Sequence, residues 1–284
     1  MATIALSEAG DDIILRVPYY FNHQMWLEVL GIKAVHLGCN MSRGGLPEID
    51  EARRLISKKT KAIVLVTPNN PTGATYPPDL LRGFFKLCQK HGIKLIIDET
   101  YKDFLTEQPP HQLFEISDWG GTLIQVYSFS KCFSLTGYRV GSVIAGENVI
   151  ESVTKIMDSV AICAPRIAQD AALYGLEHLT SWVAEKRNML KRRRELFNKL
   201  FRENNLSFEV ISSGAYFAYV EHQYDNKTAY QVAQDLLDKE NILSLPGTFF
   251  GPNQERFLRF AYANITRKEI TDVIDRLNVS FNKP

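Results

Sequence analysis

Six short apolar runs, separated by stretches long enough for helices, constrain the fold of this chain most. They occupy residues 13–17, 34–37, 62–67, 95–98, 123–127 and 141–145. Most are rich in β-branched residues and show no polar alternation, which is typical of strands buried on both faces. Strands that alternate with helices in this way form a mostly parallel sheet flanked by helices. The first half of the chain is therefore predicted to be an α/β structure.

The clearest helical stretch covers residues 77–91. It starts with Pro77 and Pro78, carries a broad apolar face, and stops before Gly92. Proline is favoured in the first turn of a helix and glycine just after its last turn. In a parallel sheet, ligands bind beyond the carboxyl ends of the strands. The residues directly after each strand are therefore the first candidates for a functional site.

The second half of the chain follows a different pattern. A long helical region opens at Pro165 and continues to about residue 204, with a break expected near residues 179–181. Strand-like runs follow at 208–211, 216–220 and 257–261, and helices at 229–239 and 267–278. This α+β order predicts a smaller second domain. We place a large domain at 1–175 and a small domain at 176–284, joined through the long helix.

Charge excludes two classes of partner. The 284 residues contain 33 Lys and Arg against 32 Asp and Glu, a net charge of +1. A nearly neutral chain has no overall field to hold nucleic acid or an anionic membrane surface, so we expect neither as a partner. The basic run at 191–194 lies in a helix interrupted by acids, and we interpret it as a solvated helix face.

Apolar runs and cysteines indicate the compartment. No apolar run approaches the roughly 20 residues needed to span a bilayer, and the first residues lack the basic start of a secretory signal. The four cysteines are scattered and form no CxxC pair. Neither a zinc ribbon nor a disulfide scaffold is therefore predicted, and no metal ligands are assigned. We expect a cytoplasmic protein.

Polar side chains follow three of the predicted strands, in the segments N-P-T-G at 70–73, D-E-T-Y at 98–101 and S-F-S-K at 128–131. Asn70 precedes a proline and is held extended, so its amide can point into a cleft. A carboxylate such as Asp98 at the end of a buried strand is costly unless it is paired. It either caps the following helix or meets a cationic ligand group.

The third segment carries an amine and candidate phosphate ligands. Lys131 follows a strand directly, and burial there would lower the pKa of its amine and make it nucleophilic. The alternative is a solvated loop lysine. Ser128, Ser130 and Arg139 supply hydroxyl groups and a guanidinium, the groups that bind a phosphate.

The order of these segments carries a family resemblance. N-P-T-G, then D-x-x-Y, then S-x-S-K with an arginine eight residues after its lysine, then L-R-F-A-Y-A at 258–263, resemble the class I/II aminotransferases. These are pyridoxal 5'-phosphate enzymes of fold type I. The resemblance covers nearly the whole chain, from about residue 10. It implies a large cofactor-binding domain, a smaller C-terminal domain, and a homodimer with active sites at the subunit interface.

The resemblance also implies catalytic and cofactor-binding roles. Lys131 would form a Schiff base with the cofactor aldehyde and later move the proton of the substrate α-carbon. Asp98 would pair with the pyridine nitrogen, and a protonated pyridine is the better electron sink. Tyr101 and Asn70 would hydrogen-bond the cofactor's phenolic oxygen, with Asn70 also near the substrate.

The remaining implied roles concern anions and ring stacking. By resemblance, Ser128, Ser130 and Arg139 would bind the phosphate. Arg259 would bind the substrate α-carboxylate in a bidentate pair. Tyr20 would stack on the cofactor ring, although the aromatic residues around it are equally consistent with a core. We assign no role to the neighbouring His23, nor to Cys132 beside the lysine.

The predicted activity is transfer of an amino group from an L-amino acid to a 2-oxo acid. Two alternatives stay open: a lyase of the same fold, working by elimination or in the manner of aminocyclopropane-carboxylate synthase, and a truncated, non-catalytic relative. Family members carry an N-terminal arm, a glycine loop for the phosphate, and a tyrosine lent across the dimer. These upstream segments have no counterpart in the sequence, which motivates the second alternative.

Overall fold

A computed structural model describes residues 1–106 and 110–282, and contains two sheets. The strands of the first sheet are β1 (Asp12–Arg16), β2 (Lys33–Leu37), β3 (Thr60–Val66), β4 (Lys94–Asp98), β5 (Leu123–Ser128) and β6 (Gly141–Ile144). Their spatial order is β2-β1-β3-β4-β5-β6. The pairs from β2 through β5 are parallel, and β6 is antiparallel to β5. The predicted mostly parallel α/β sheet is confirmed.

Ten α-helices accompany the strands in the described residues. They are α1 (Ala2–Leu6), α2 (Phe21–Val29), α3 (Ile49–Leu55), α4 (Pro78–His91), α5 (Phe129–Cys132), α6 (Glu147–Val160), α7 (Arg166–His178), α8 (Thr180–Glu203), α9 (Ala229–Glu240) and α10 (Arg267–Ser280). The long helical region is interrupted at Leu179, inside the predicted break. Across the described ranges, no helix is both long and apolar enough to cross a membrane.

Helix α4 shows how the predicted pattern becomes packing. Its start at Pro78 and its end at Gly92, which has a left-handed φ of 65°, match the expected punctuation. Phe84 and Phe85 are fully buried and face the core between α4 and the sheet. Because the strands beneath are also buried, this layer excludes water from one face of the sheet.

The second sheet is antiparallel. Its strands are β7 (Phe208–Gly214), β8 (Phe217–His222), β9 (Leu245–Pro246) and β10 (Phe257–Ala261), in the order β7-β8-β10-β9. Helices α9 and α10 each begin with a capping box, at Thr228 and Thr266, which satisfies backbone N–H groups at both starts. These helices and the end of α8 bury a separate core on this sheet. The predicted domain boundary at 175/176 falls within α7 and stays a prediction.

Two glycines bring the two sheets into contact. Gly73 has a φ of 71°, and a Cβ built there would lie 2.3 Å from the backbone nitrogen of Gly214. A Cβ on Gly214 would lie 2.1 Å from the carbonyl oxygen of Gly73. Beside them, the Ser212 hydroxyl donates to the carbonyl oxygen of Thr72 at 2.8 Å. The glycine of N-P-T-G therefore allows the loop after β3 to pack directly on the β7–β8 hairpin.

Candidate active site

One cavity of about 930 Å³ opens at the carboxyl ends of the parallel strands. Nine residues that the sequence analysis selected all line it: Tyr20, Asn70, Asp98, Tyr101, Ser128, Ser130, Lys131, Arg139 and Arg259. They come from segments as far apart as residues 20 and 259, and β10 of the second sheet supplies the last of them. The structure thus gathers the predicted residues in one place, and their chemical roles stay predictions.

Asp98 is the only carboxylate among the described residues that line the cavity. Its Oδ2 lies 3.2 Å from Nε2 of His23, and its Oδ1 accepts bonds from the Thr100 backbone N–H at 3.0 Å and hydroxyl at 2.7 Å. Burial opposes ionisation of this group. The hydrogen bond and charge of His23 and the two bonds from Thr100 outweigh it, and the pKa of Asp98 is lowered. The site therefore favours the ionised form of a largely buried carboxylate.

His23 is a site residue that the sequence analysis left out. It lies in the first turn of α2, and its side chain bonds Asp98 across 75 positions of sequence. A histidine at the start of a helix carries no local mark of such a partner. The alternation of strands and helices, which brings the start of α2 beside the end of β4, was the available signal.

Lys131 lies in α5, the single helical turn that follows β5. Ser128 caps this turn, because its side chain accepts a hydrogen bond from the Ser130 backbone N–H. Partial burial lowers the pKa of the Lys131 amine, and the positive charges of Arg259 and Arg139 lower it further. The cavity thus favours a neutral, nucleophilic amine at this position.

Arg139 stands at the end of the turn that follows Lys131. It has a left-handed φ of 56°, and its guanidinium donates to the carbonyl oxygen of Thr136 at 3.0 Å. The Thr136 hydroxyl in turn donates to the carbonyl oxygen of Ser130 at 3.3 Å. These contacts keep the guanidinium and the two serines at the same end of the cavity, where together they can bind an anion.

Arg259 enters the cavity from β10. Its Nη1 donates to Oδ1 of Asn70 at 2.9 Å, and its Cζ lies 4.5 Å and 5.1 Å from the ring centres of Phe217 and Phe250. Its Nε is buried and has no hydrogen-bond partner in the part of the chain that the structure describes. An arginine held this way by aromatic rings has donors left for a carboxylate.

Aromatic side chains form the remaining walls. Tyr101 is buried, and its ring makes edge contacts with Tyr216 at 5.2 Å and Phe217 at 5.6 Å between centroids. Burial raises the pKa of the Tyr101 hydroxyl, so that it stays a hydrogen-bond donor. Tyr20 accepts a hydrogen bond from the Asn22 side chain at 3.0 Å and packs against Phe21.

Helix α8 contributes a wall of the cavity that the sequence analysis did not propose. Trp182, Lys186, Met189 and Leu190 of this helix line the cavity. Their spacing places them on one face of a helix. Nothing in the local pattern distinguishes such a face from one that packs on a core, so this wall was not predicted.

Comparison with known proteins identifies the family. Residues 1–277 match the family described as aminotransferase class I and II. The chain is 28% identical over 280 residues to the aromatic aminotransferase ISS1 of Arabidopsis thaliana, covering 96% of this chain and 70% of that protein. It is 27% identical over 281 residues to the aspartate aminotransferase of Thermotoga maritima, covering 99% and 72%.

Solved structures agree with this match. The aromatic aminotransferase from Pyrococcus horikoshii superimposes with a TM-score of 0.91 at 26% identity, over 98% of this chain and 75% of that one. Its fold is the one that the two sheets build here. The chain therefore belongs to the class I and II aminotransferases and is an enzyme of the transaminase class.

Proposed function

We propose that this chain is a pyridoxal 5'-phosphate-dependent aminotransferase that moves an amino group from an L-amino acid to a 2-oxo acid, with Lys131 as the catalytic amine. The observation that carries the proposal is the presence, in one cavity, of a largely buried carboxylate and an amine whose pKa values are both lowered. Names of relatives, which include aspartate and aromatic aminotransferases, support the reaction class.

The donor set fits the cofactor chemically. Its pyridine nitrogen needs an anion, which Asp98 offers, and its phosphate needs hydroxyls and a cation, which Ser128, Ser130 and Arg139 offer. When bound, the cofactor supplies the electron sink that makes loss of the substrate α-proton possible. Tyr101 and Asn70 would donate hydrogen bonds to the phenolic oxygen, and Tyr20 would lie against the ring.

The protein residues would then orient the substrate and move its proton. Arg259 binds the α-carboxylate through donors that are free of Asn70, which fixes the direction of the Cα–H bond. The neutral amine of Lys131 would take the proton from the substrate α-carbon and deliver it to the neighbouring carbon of the cofactor. Burial and the charges of Arg259 and Arg139 lower its pKa, so the amine is more readily neutral, and able to accept this proton, than that of an ordinary lysine.

The test is titration of the purified chain with pyridoxal 5'-phosphate. We expect a saturable visible absorption band, and borohydride reduction should fix the cofactor on Lys131 when the modified peptide is mapped. Lys131→Ala should abolish the band, while Lys155→Ala, an exposed lysine of α6, should leave it unchanged. If no band forms, the hypothesis of a non-catalytic relative replaces this proposal.

Product analysis separates transfer from elimination. Supplied with an amino acid and 2-oxoglutarate, an aminotransferase produces glutamate and a new 2-oxo acid. A lyase of the same fold would release ammonia instead. Glutamate formation that depends on Lys131 supports the proposal, and ammonia without glutamate would replace it with the lyase alternative.

We also propose a homodimer. From α6 to α7 the surface exposes large apolar side chains: Val160, Ile162, Ile167, Leu173, Tyr174 and Leu176. Exposed apolar area of this kind, concentrated in one segment, marks protein interfaces. Light scattering should give twice the chain mass, and Leu173→Glu should shift the protein towards the monomer.

A further inference from the structure

We propose that Lys186 recognises a second carboxylate on the substrate, at the end of the cavity formed by α8. The inference rests on the proposed transaminase function, because it assigns the side-chain end of the amino donor or acceptor. It makes Lys186 a specificity-determining residue. The cavity would accordingly favour dicarboxylic amino acids and 2-oxo acids over equally long monocarboxylic ones.

The charge of the cavity wall supports this inference. Four basic side chains line the cavity: Lys131, Arg139, Lys186 and Arg259. Among the described lining residues, Asp98 alone opposes them, and it is already bonded by His23 and Thr100. In the proposed function the cofactor phosphate meets Arg139 and the α-carboxylate meets Arg259. Lys186 is then the one cation of the described wall left without an anion.

The position of Lys186 on α8 is the second support. Lys191 and Lys199, on the same helix, each have a glutamate four residues later at 3.9 Å. Lys186 has the buried Leu190 at that position instead. Within residues 1–106 and 110–282 it forms no ion pair, and its recorded partner is the Trp182 ring, 5.2 Å from Nζ to the centroid.

The surroundings of Lys186 explain why its ligand should be an anion on an otherwise apolar group. Trp182, Met189 and Leu190 flank it on the cavity face of the helix. Apolar neighbours give a substrate methylene chain a surface to pack against, while the ammonium group gives its far end a charge partner. A carboxylate reaching this place is less hydrated than on open surface, which strengthens the pairing.

The experiment compares 2-oxoglutarate with 2-oxopentanoate as amino acceptors, since the second lacks only the distal carboxylate. We expect the natural chain to prefer 2-oxoglutarate, and Lys186→Met to reduce kcat/KM for it about 10- to 100-fold while changing 2-oxopentanoate little. Lys186→Arg should retain most of the preference. Lys191→Met, which removes a surface lysine of the same helix, should behave like the natural chain.

A binding measurement keeps the inference separate from the proposed function. Succinate and butyrate differ by one carboxylate and neither can react, so calorimetry with the cofactor-loaded chain measures recognition alone. Selective loss of succinate binding in Lys186→Met supports the inference even if no turnover is found, in which case only the proposed function fails. Three results in Lys186→Met would overturn the inference. They are an unchanged preference for the dicarboxylates, an equal loss of succinate and butyrate binding, and a loss of cofactor affinity instead.

Discussion

Asp98 illustrates how single residues in this transaminase set one another's charge. It is largely buried at the end of β4, and without partners that burial would raise the pKa of its carboxyl group. His23 and Thr100 reverse the direction. Lys131 experiences the opposite arrangement, because burial and two guanidinium groups all disfavour its charged form. The same cavity thus favours the charged form of a carboxyl group and the neutral form of an amine.

Replacing His23 should raise the pKa of Asp98. In His23→Leu, burial is opposed by Thr100 alone, so the carboxylate accepts a proton at higher pH than in the natural chain. The cofactor nitrogen needs the ionised form of Asp98. As the pH is lowered, the affinity of the variant for the cofactor should therefore begin to fall at a higher pH than that of the natural chain. Pyridoxal 5'-phosphate titrations at a series of pH values from neutral into the acidic range measure this. His178→Leu, at an exposed histidine, is the control, and superimposable pH profiles would contradict the account.

Replacing Arg259 should raise the pKa of Lys131. Arg259→Met removes one of the two positive charges that lower this pKa, while burial and Arg139 continue to act. The neutral amine is then fully formed only at higher pH. The midpoint of covalent cofactor attachment, followed by borohydride trapping across pH, should therefore move upwards. As a control, Arg256→Met removes an exposed arginine that pairs with Glu221, and it should leave the midpoint unchanged. A downward movement is incompatible with the charge assignment.

Among the elements, the loop after β3 shows how the fold positions the site. It carries Asn70 into the cavity and, three residues later, packs Gly73 on the β7–β8 hairpin. The same hairpin leads through β8 to its neighbour β10, which carries Arg259. The packing of this loop on the hairpin therefore helps to set the separation of Asn70 and Arg259, whose side chains meet at 2.9 Å.

Gly73→Ala should destabilise the chain much more than Gly92→Ala. Both glycines have left-handed φ angles, 71° and 65°, so both substitutions introduce similar backbone strain. A Cβ at Gly92 meets nothing within 4 Å, whereas one at Gly73 meets the backbone of the hairpin. We expect a loss of about 1 kcal/mol at Gly92 and roughly 2–4 kcal/mol at Gly73. Urea unfolding measures both losses of stability. Equal losses would show that the hairpin moves aside at little cost in free energy.

On the scale of the whole molecule, the cavity draws on both sheets. Asp98 and Lys131 follow strands of the parallel sheet, and Arg259 lies within the antiparallel one. Each of the two sheets has a hydrophobic core on which its own helices pack. A ligand that touches both groups of residues therefore adds to the contacts that already join these parts of the chain, such as Ser212 with Thr72 and the Tyr101 ring with Phe217.

Cofactor binding should stabilise the chain as a unit. At a free concentration 100 times the dissociation constant, a ligand specific for the folded state adds about 2.7 kcal/mol to the free energy of unfolding. Thermal unfolding at increasing pyridoxal 5'-phosphate should show a single transition that moves upwards. Pyridoxal, which has no phosphate for Arg139, should move it less at equal concentration. Two separating transitions would indicate that the ligand stabilises one sheet only.

Most elements could be predicted from the sequence because their signals are local. The strand at 257–261, the helix after Pro77 and the interruption at Leu179 all follow from residues within a few positions. The order of strands in the sheet depends on contacts between distant segments, so no local pattern indicates it. The antiparallel direction of β6 was not predicted either. Helix α6 was not proposed, although its apolar positions have helical spacing.

The site divides in the same way. Lys131, Asp98 and Arg259 were selected because they follow or interrupt buried strands in a family order of motifs, and the structure places all three in the cavity. His23 and Lys186 have no such mark: His23 acquires its place through Asp98, 75 positions away, and Lys186 through the packing of α8 along the cavity. Packing between elements, rather than chemistry within a motif, decides which of the ordinary polar residues reach the cavity.

The paired glycines at 73 and 214 restrict how descendants of this sequence can vary. Each position already occupies the space that a side chain on the other would need. No single nucleotide change that adds a side chain at one position is relieved by a smaller residue at the other, because glycine has nothing left to remove. A substitution at either position is therefore tolerated only if the hairpin itself shifts. Descendants therefore either keep both glycines or change the separation of Asn70 and Arg259 in the cavity.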